Sequence, residues 1–92
     1  MQIRWTDPAL HDFTHMSASP NLGSGDARSR RTALQIFEVV ESLSTFPNRG
    51  RSGRKPGTSE LVIYGLPFVA VYRLRQDSVE ILRILHGAQR WP

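Results

Sequence analysis

The chain has 92 residues, with twelve Lys or Arg against eight Asp or Glu, a formal charge of +4 at pH 7. That length supplies one small core, so residues 1–92 are expected to form a single domain with a stability of roughly 5 to 10 kcal/mol. The absence of cysteine excludes disulfides and thiolate metal sites, and no stretch approaches the roughly 18 apolar residues of a membrane span or forms a secretory signal, which leaves a cytoplasmic protein as the expectation.

Eleven of the twelve cations are arginine. The guanidinium is a planar fork of donors suited to phosphates and carboxylates. The balance therefore favours an acidic partner: nucleic acid, an anionic surface or an acidic protein. A basic domain with no special partner is the plain alternative.

The opening residues "MQIRWT" alternate, with Ile3 and Trp5 on one side and Gln2 and Arg4 on the other, which predicts a strand. Asp7 followed by Pro8 reads as an N-cap and first turn, and Leu10, Phe13 and Met16 follow at helical spacing. A short helix over 8–18 is predicted. "SPNLGSG", residues 19–25, reads as a loop. Asp26 can cap a longer helix, whose stripe is Ala33, Ile36, Phe37, Val40 and Leu43. Pro47 stops it. Arg28, Arg30 and Arg31 sit early in this helix, as a solvated face or as a patch for a partner.

Residues 48–57, "NRGRSGRKPG", contain no apolar side chain and read as an exposed loop. Three strands then follow in "TSELVIY", "PFVAVYRLR" and "SVEILRILH", joined by "GL" and "QD". Gly65 suits the first central position of a type II′ turn. In the middle strand Phe68, Ala70, Tyr72 and Leu74 share the core face, while Val69, Val71, Arg73 and Arg75 share the other. The last strand is apolar on both faces, as a central strand should be. The order is β-α-α-β-β-β. This is an α+β fold of two layers, with a helical hairpin packed on an antiparallel sheet and the sheet's other face left open.

No phosphate-binding loop, dinucleotide fingerprint, metalloprotease helix or nucleophile elbow is present. His11 and His15 are four apart and make half a metal site, with nothing clearly placed to complete it. Exposed polar helix residues are the better reading, and neither a metal nor a cofactor is expected. Three features remain. The loop cations Arg49, Arg51, Arg54 and Lys55 form either a solvated turn or a phosphate-binding arm made supple by Gly50 and Gly53. Arg73 and Arg83 lie inside apolar strands and need carboxylates if buried, with Glu60 and Glu80 the nearest candidates. His86 ends the last strand. It could exchange protons in metal-free RNA cleavage with Arg83 as the cation, or simply bond to backbone. Arg83 and His86 are three apart, so they fall on opposite faces unless the strand bulges between them. Arg90 and Trp91 carry the chain to the domain edge.

Three pieces, "GRSGRKPGTSELVI", "LPFVAVYRL" and "ILRILHGAQRWP", resemble the C-terminal half of the RelE/ParE family of bacterial toxins, and "IRWTDPALHDF" resembles that family's first strand and helix. The resemblance covers most of the chain and departs from about 14 to 29. It implies the toxin of a type II toxin–antitoxin pair, which inhibits growth when free and forms a hetero-oligomer with a cognate antitoxin. Two targets occur in such a family: DNA gyrase for ParE-like members, and mRNA in the ribosome for RelE-like endonucleases. Against the nuclease pattern, "ELVIY" lacks a basic residue and Val69 stands where an arginine is usual. This favours a ParE-like target. The RelE-like endonuclease, using His86 and Arg83, stays as one alternative. A non-toxic nucleic-acid-binding module is another. On each reading Arg49, Arg51, Arg54, Lys55, Arg73, Arg90 and Trp91 are the candidate contacts.

Overall fold

In the computed structural model, residues 1–17, 27–87 and 91 are described below. Strand β1 (Gln2–Trp5) leads into helix α1 (Asp7–Ser17). Helix α2 (Ala27–Glu41) runs into a 3₁₀ turn at Ser42–Ser44. Strands β2 (Arg51–Ser52), β3 (Ser59–Val62), β4 (Phe68–Arg75) and β5 (Ser78–His86) follow. The sheet order is β1-β5-β4-β3-β2. Strands β2 to β5 are mutually antiparallel, whereas β1 runs parallel to β5. That parallel pairing suits the two-helix crossover, which returns the chain to the far side of the sheet.

The core lies between the helices and one sheet face. Ile36 and Val40 of α2, and Leu43 of the 3₁₀ turn, pack with Ala70 and Tyr72 of β4 and with Val79, Ile81 and Ile84 of β5. The predicted stripe on α2 is therefore right at its centre. Phe37, at its flank, is exposed, as is Leu74 near the hairpin tip of β4. On α1 the inward residues are Ala9, which is fully buried, and Phe13, which meets Trp5 at 5.3 Å between ring centroids. Leu10 is exposed. A helix this short buries one narrow stripe, and Asp12, not the predicted Leu10, lies on it beside Ala9 and Phe13.

Several local features differ from expectation. Thr6, not Asp7, caps α1. Its Oγ1 accepts from Ala9 N–H at 3.3 Å and its carbonyl accepts from Leu10 N–H at 2.9 Å. Asp7 is instead the first helical residue, where a negative charge favours the dipole. Gly65 has φ +80° and follows Tyr64 in a turn closed by Leu66 N–H on the Ile63 carbonyl at 3.1 Å. It is thus the second central residue of a type II turn, not the first of a type II′ turn. The basic segment is not wholly loop, because Arg51 and Ser52 pair with Glu60 and Ser59 as an added edge strand. The proposed cap Asp26, the 19–25 loop and the side chain of Arg28 fall outside the described residues.

Strand β5 carries a β-bulge. Val71 pairs with Arg83, but Tyr72 pairs with Ile81, so Leu82 is the extra residue. Val79 and Ile81 face the core, and strict alternation would send Arg83 after them. The bulge reverses the alternation, placing Ile84 in the core and turning Arg83 to the open face.

Candidate functional site

The helix-free face of the sheet holds most of the sequence-predicted site residues. Cross-strand partners share a face, so one row runs Arg51, Glu60, Val71, Arg83 and the next runs Val62, Val69, Leu85. A third runs Arg4, Glu80, Arg73. The floor is apolar and the rim is charged. Trp91 borders two grooves on this face. The first, about 50 Å³, is lined by Arg51, Arg54, Glu60 and His86 over Val69, Val71 and Leu85. The second, about 320 Å³, is lined by Lys55, Thr58, Arg73, Leu82 and Arg83.

Arg83 is the most constrained cation. Its Nε and Nη2 donate to the two carboxylate oxygens of Asp12 at 2.6 and 3.0 Å. The same carboxylate accepts from Ile84 N–H at 3.0 Å. The reason lies in the sheet edge. Pairing of β1 with β5 ends at Ile81, which leaves the backbone of the bulge without a strand partner. Thr6 Oγ1 donates to the carbonyls of Ile81 and Leu82 at 2.8 and 3.2 Å, and Asp12 supplies the acceptor for Ile84. The cap residue Thr6 and Asp12, in the middle of α1, thus substitute for a strand. The hydrogen bond to Asp12, and its charge, hold the Arg83 guanidinium above its ordinary pKa despite the opposing effect of burial. Neither Glu60 nor Glu80 pairs with Arg83, although both were the nearest candidates by sequence. The partner comes from a helix 71 positions away, which strand pairing alone does not reveal.

Arg73 does pair with Glu80, at 2.5 Å. Glu60 pairs with Arg51 at 3.3 Å and accepts from Arg54 N–H at 3.4 Å. The side chain of Glu60 is only 13% exposed, so it forms a partly buried acidic spot within a basic rim. Arg54 and Lys55 are exposed at the groove edges. Arg49 points elsewhere and donates to Ser42 Oγ at 2.6 Å, bracing the end of the helical layer. Arg90 lies outside the described residues.

The basic segment is held rather than supple. The buried Tyr72 hydroxyl donates to the Pro47 carbonyl at 2.9 Å and accepts from Gly50 N–H at 2.8 Å. A Cβ on Gly50 would stand 2.6 Å from that hydroxyl, and one on Gly53 would collide with Thr58 Oγ1. These glycines permit close approach, a steric reason for glycine at both positions besides the backbone freedom expected from sequence.

His86 and Arg83 do not share a groove. His86 pairs with Phe68 across the strands, and the two rings meet edge to face at 5.9 Å. It borders the first groove with Glu60, Arg51 and Arg54, while Arg83 borders the second. The bulge precedes Arg83, so His86 shares the helix-side face of its partner Phe68, opposite Arg83, and meets the first groove at the end of the strand, beside Gly87. Sequence reasoning treated Glu60 only as an ion-pair partner and did not single out Asp12 or Tyr72. The signal for Asp12 was present: a carboxylate three residues after buried Ala9 and beside Phe13 lies on the inward stripe of α1.

Similarity to known proteins runs the length of this architecture. Residues 3–91 match the family model described as the ParE toxin of the type II toxin–antitoxin system parDE. The protein Y4kP of Sinorhizobium fredii is 38% identical over 91 residues, covering 99% of this chain and 93% of that protein. Toxin RelE2 of Caulobacter vibrioides is 34% identical over 88 residues, covering 96% and 97%. A solved structure of the chromosomal ParDE toxin–antitoxin system from P. aeruginosa superposes with a TM-score of 0.82 at 26% identity, covering 94% of this chain and 95% of that one. The chain belongs to the ParE toxin family of type II toxin–antitoxin systems.

Proposed function

We propose that this protein inhibits growth when free by acting on DNA gyrase, and that a cognate antitoxin neutralises it as a hetero-oligomer. The match to the ParE toxin family over residues 3–91 carries this reading. The chemistry of the open face agrees with it. Metal-free RNA cleavage needs a base, an acid and a cation free to meet the phosphorane charge. Arg83 is already committed to Asp12, and it borders a different groove from His86. The rim of Arg51, Arg54, Lys55 and Arg73, set above Val71 and Leu85 that are already buried, suits an acidic antitoxin segment that orders on binding.

A second reading, the mRNA endonuclease, draws on one observation. Glu60 and His86 border the same groove with Arg51 and Arg54 beside them. A carboxylate and an imidazole can divide base and acid duties between them.

Induced expression of the chain alone should arrest growth, and co-expression of an acidic companion from the adjacent reading frame should relieve it. Purified protein should then block gyrase supercoiling, and folded His86→Ala and Arg83→Ala variants should remain toxic. Loss of toxicity in His86→Ala and Glu60→Ala by about 100-fold or more, with cleaved mRNA in the wild type, would establish the endonuclease instead. Absence of arrest with folded protein present would refute both.

A further inference from the structure

Helix α1 presents its inner side to the sheet and its outer side to solvent. On the outer side His11 and His15 are one turn apart, and their rings are nearly parallel at 12° with centroids 6.0 Å apart. Both side chains are exposed, and among the described residues neither ring is engaged in a hydrogen bond. We propose that His11 and His15 form a two-imidazole chelate for a divalent d-block cation of the Zn²⁺ or Ni²⁺ class, on the surface of α1 and separate from the grooves of the open face.

Imidazole nitrogen suits this class of ion, whereas Mg²⁺ and Ca²⁺ select oxygen. With metal–nitrogen bonds of about 2.0 to 2.1 Å, two imidazoles on one tetrahedral ion have ring centroids about 5 Å apart. The observed 6.0 Å therefore needs to close by about 1 Å, within reach of small side-chain rotations at exposed positions. The helix has already fixed the spacing, so binding orders little backbone. No third histidine or carboxylate completes a metal site among the described residues. Water fills the remaining positions, and the ion is exchangeable. The chelate also spans the turn containing Asp12, whose carboxylate clamps Arg83 and Ile84 N–H. Bridging His11 to His15 staples that turn and stabilises the folded chain by an amount that grows with the logarithm of metal concentration above the Kd.

The test uses the full chain, with inorganic Zn²⁺ and Mg²⁺ as probes. Thermal unfolding and histidine ring NMR signals are followed during titration of the wild type, His11→Gln, His15→Gln and His86→Gln. Zn²⁺ should shift the His11 and His15 signals together at 1:1 stoichiometry and raise the melting temperature, and Mg²⁺ should do neither. Either His11→Gln or His15→Gln should weaken Zn²⁺ binding by about tenfold or more, since each converts a chelate to a single ligand. His86→Gln should leave binding unchanged. Without metal, each variant should melt with the wild type, because both rings are exposed. Zn²⁺ binding that survives both α1 substitutions, or no response of the wild-type ring signals at ~1 mM Zn²⁺, would overturn the proposal.

Discussion

Asp12 is the residue whose removal should cost most outside the apolar core. It is 12% exposed and serves three donors at once: Arg83 Nε, Arg83 Nη2 and Ile84 N–H. Asp12→Ala deletes all three bonds. Ile84 N–H then has no strand beside it, and an orphaned part-buried donor costs about 1 to 3 kcal/mol. Breaking a buried ion pair costs about 3 to 5 kcal/mol, because one charge is stranded. The Arg83 side chain is 34% exposed and can rehydrate, so that second figure must be discounted heavily. The sum expected is about 2 to 4 kcal/mol, a large share of the stability of a chain this size. At roughly 4 to 8 °C per kcal/mol, the melting temperature should fall by about 8 to 32 °C. Asp12→Asn keeps one acceptor and should cost about half as much. Urea unfolding of both variants, with Arg83→Ala and the double variant to close the cycle, measures the coupling directly. A loss below about 0.5 kcal/mol for Asp12→Ala would mean that water replaces the clamp freely and that the bulged edge needs no partner from α1. The pH sign follows from Arg83. Its raised folded pKa contributes stability that is fully present below the guanidinium's unfolded value and is lost only as pH rises through the folded one. That window lies above any working pH, so the Arg83 contribution to the clamp should be flat through neutrality.

Glu80→Ala breaks the Arg73 pair, in which the two side chains are 40% and 23% exposed, and should cost under about 1 kcal/mol in the same urea assay. Tyr72→Phe removes a hydroxyl that both donates to Pro47 and accepts from Gly50, so it should cost about 1 to 2 kcal/mol and speed amide exchange at Gly50. Gly50→Ala places a Cβ 2.9 Å from the Glu60 carbonyl as well as against Tyr72, and should cost about 1 to 3 kcal/mol in thermal unfolding. Gly57→Ala meets no atom within 4 Å but must hold φ +80°, so about 1 kcal/mol of backbone strain is its whole cost.

How much of this was legible in the sequence differs by kind of signal. The helix–strand order was readable because period 3.6 in "ALQIFEVV" and period 2 in "PFVAVY" are local properties. Glu80 was readable only as one of two candidate partners for the strand arginines, because choosing between Glu60 and Glu80 needs the register in which Arg73 stands opposite Glu80. The Arg83–Asp12 clamp was not, since it joins residues 71 apart through the edge of a sheet. Nor was β2, where Arg51 and Ser52 carry no strand-forming side chain and pair only because Tyr72 anchors the chain before them. The bulge at Leu82 left a trace that alternation alone could not decode. Val79, Ile81, Arg83 and Leu85 alternate cleanly, and that pattern would bury Arg83. A charged residue in register with a core row is itself the sign that the register must slip.

That slip bears on what the open face can do. The bulge turns Arg83 out of the core, and Asp12 then immobilises it, so the strand arginine most like a catalytic cation is spent on closing a sheet edge. A guanidinium in a bidentate carboxylate pair would have to surrender that pair to receive a phosphorane, at a cost comparable to the stabilisation it could offer. The cations left at the surface, Arg54 and Lys55, sit on a segment held by Tyr72 and beside an apolar floor of Val69, Val71 and Leu85. Positive charge above a floor whose Val71 and Leu85 are already buried serves recognition of an acidic protein segment better than in-line chemistry on RNA. Charge reversal at Arg54 and Lys55 should therefore weaken antitoxin binding and its salt dependence together, read by calorimetry at two ionic strengths, while leaving the fold intact. Unchanged affinity would move the antitoxin off this face and return the open sheet to the target.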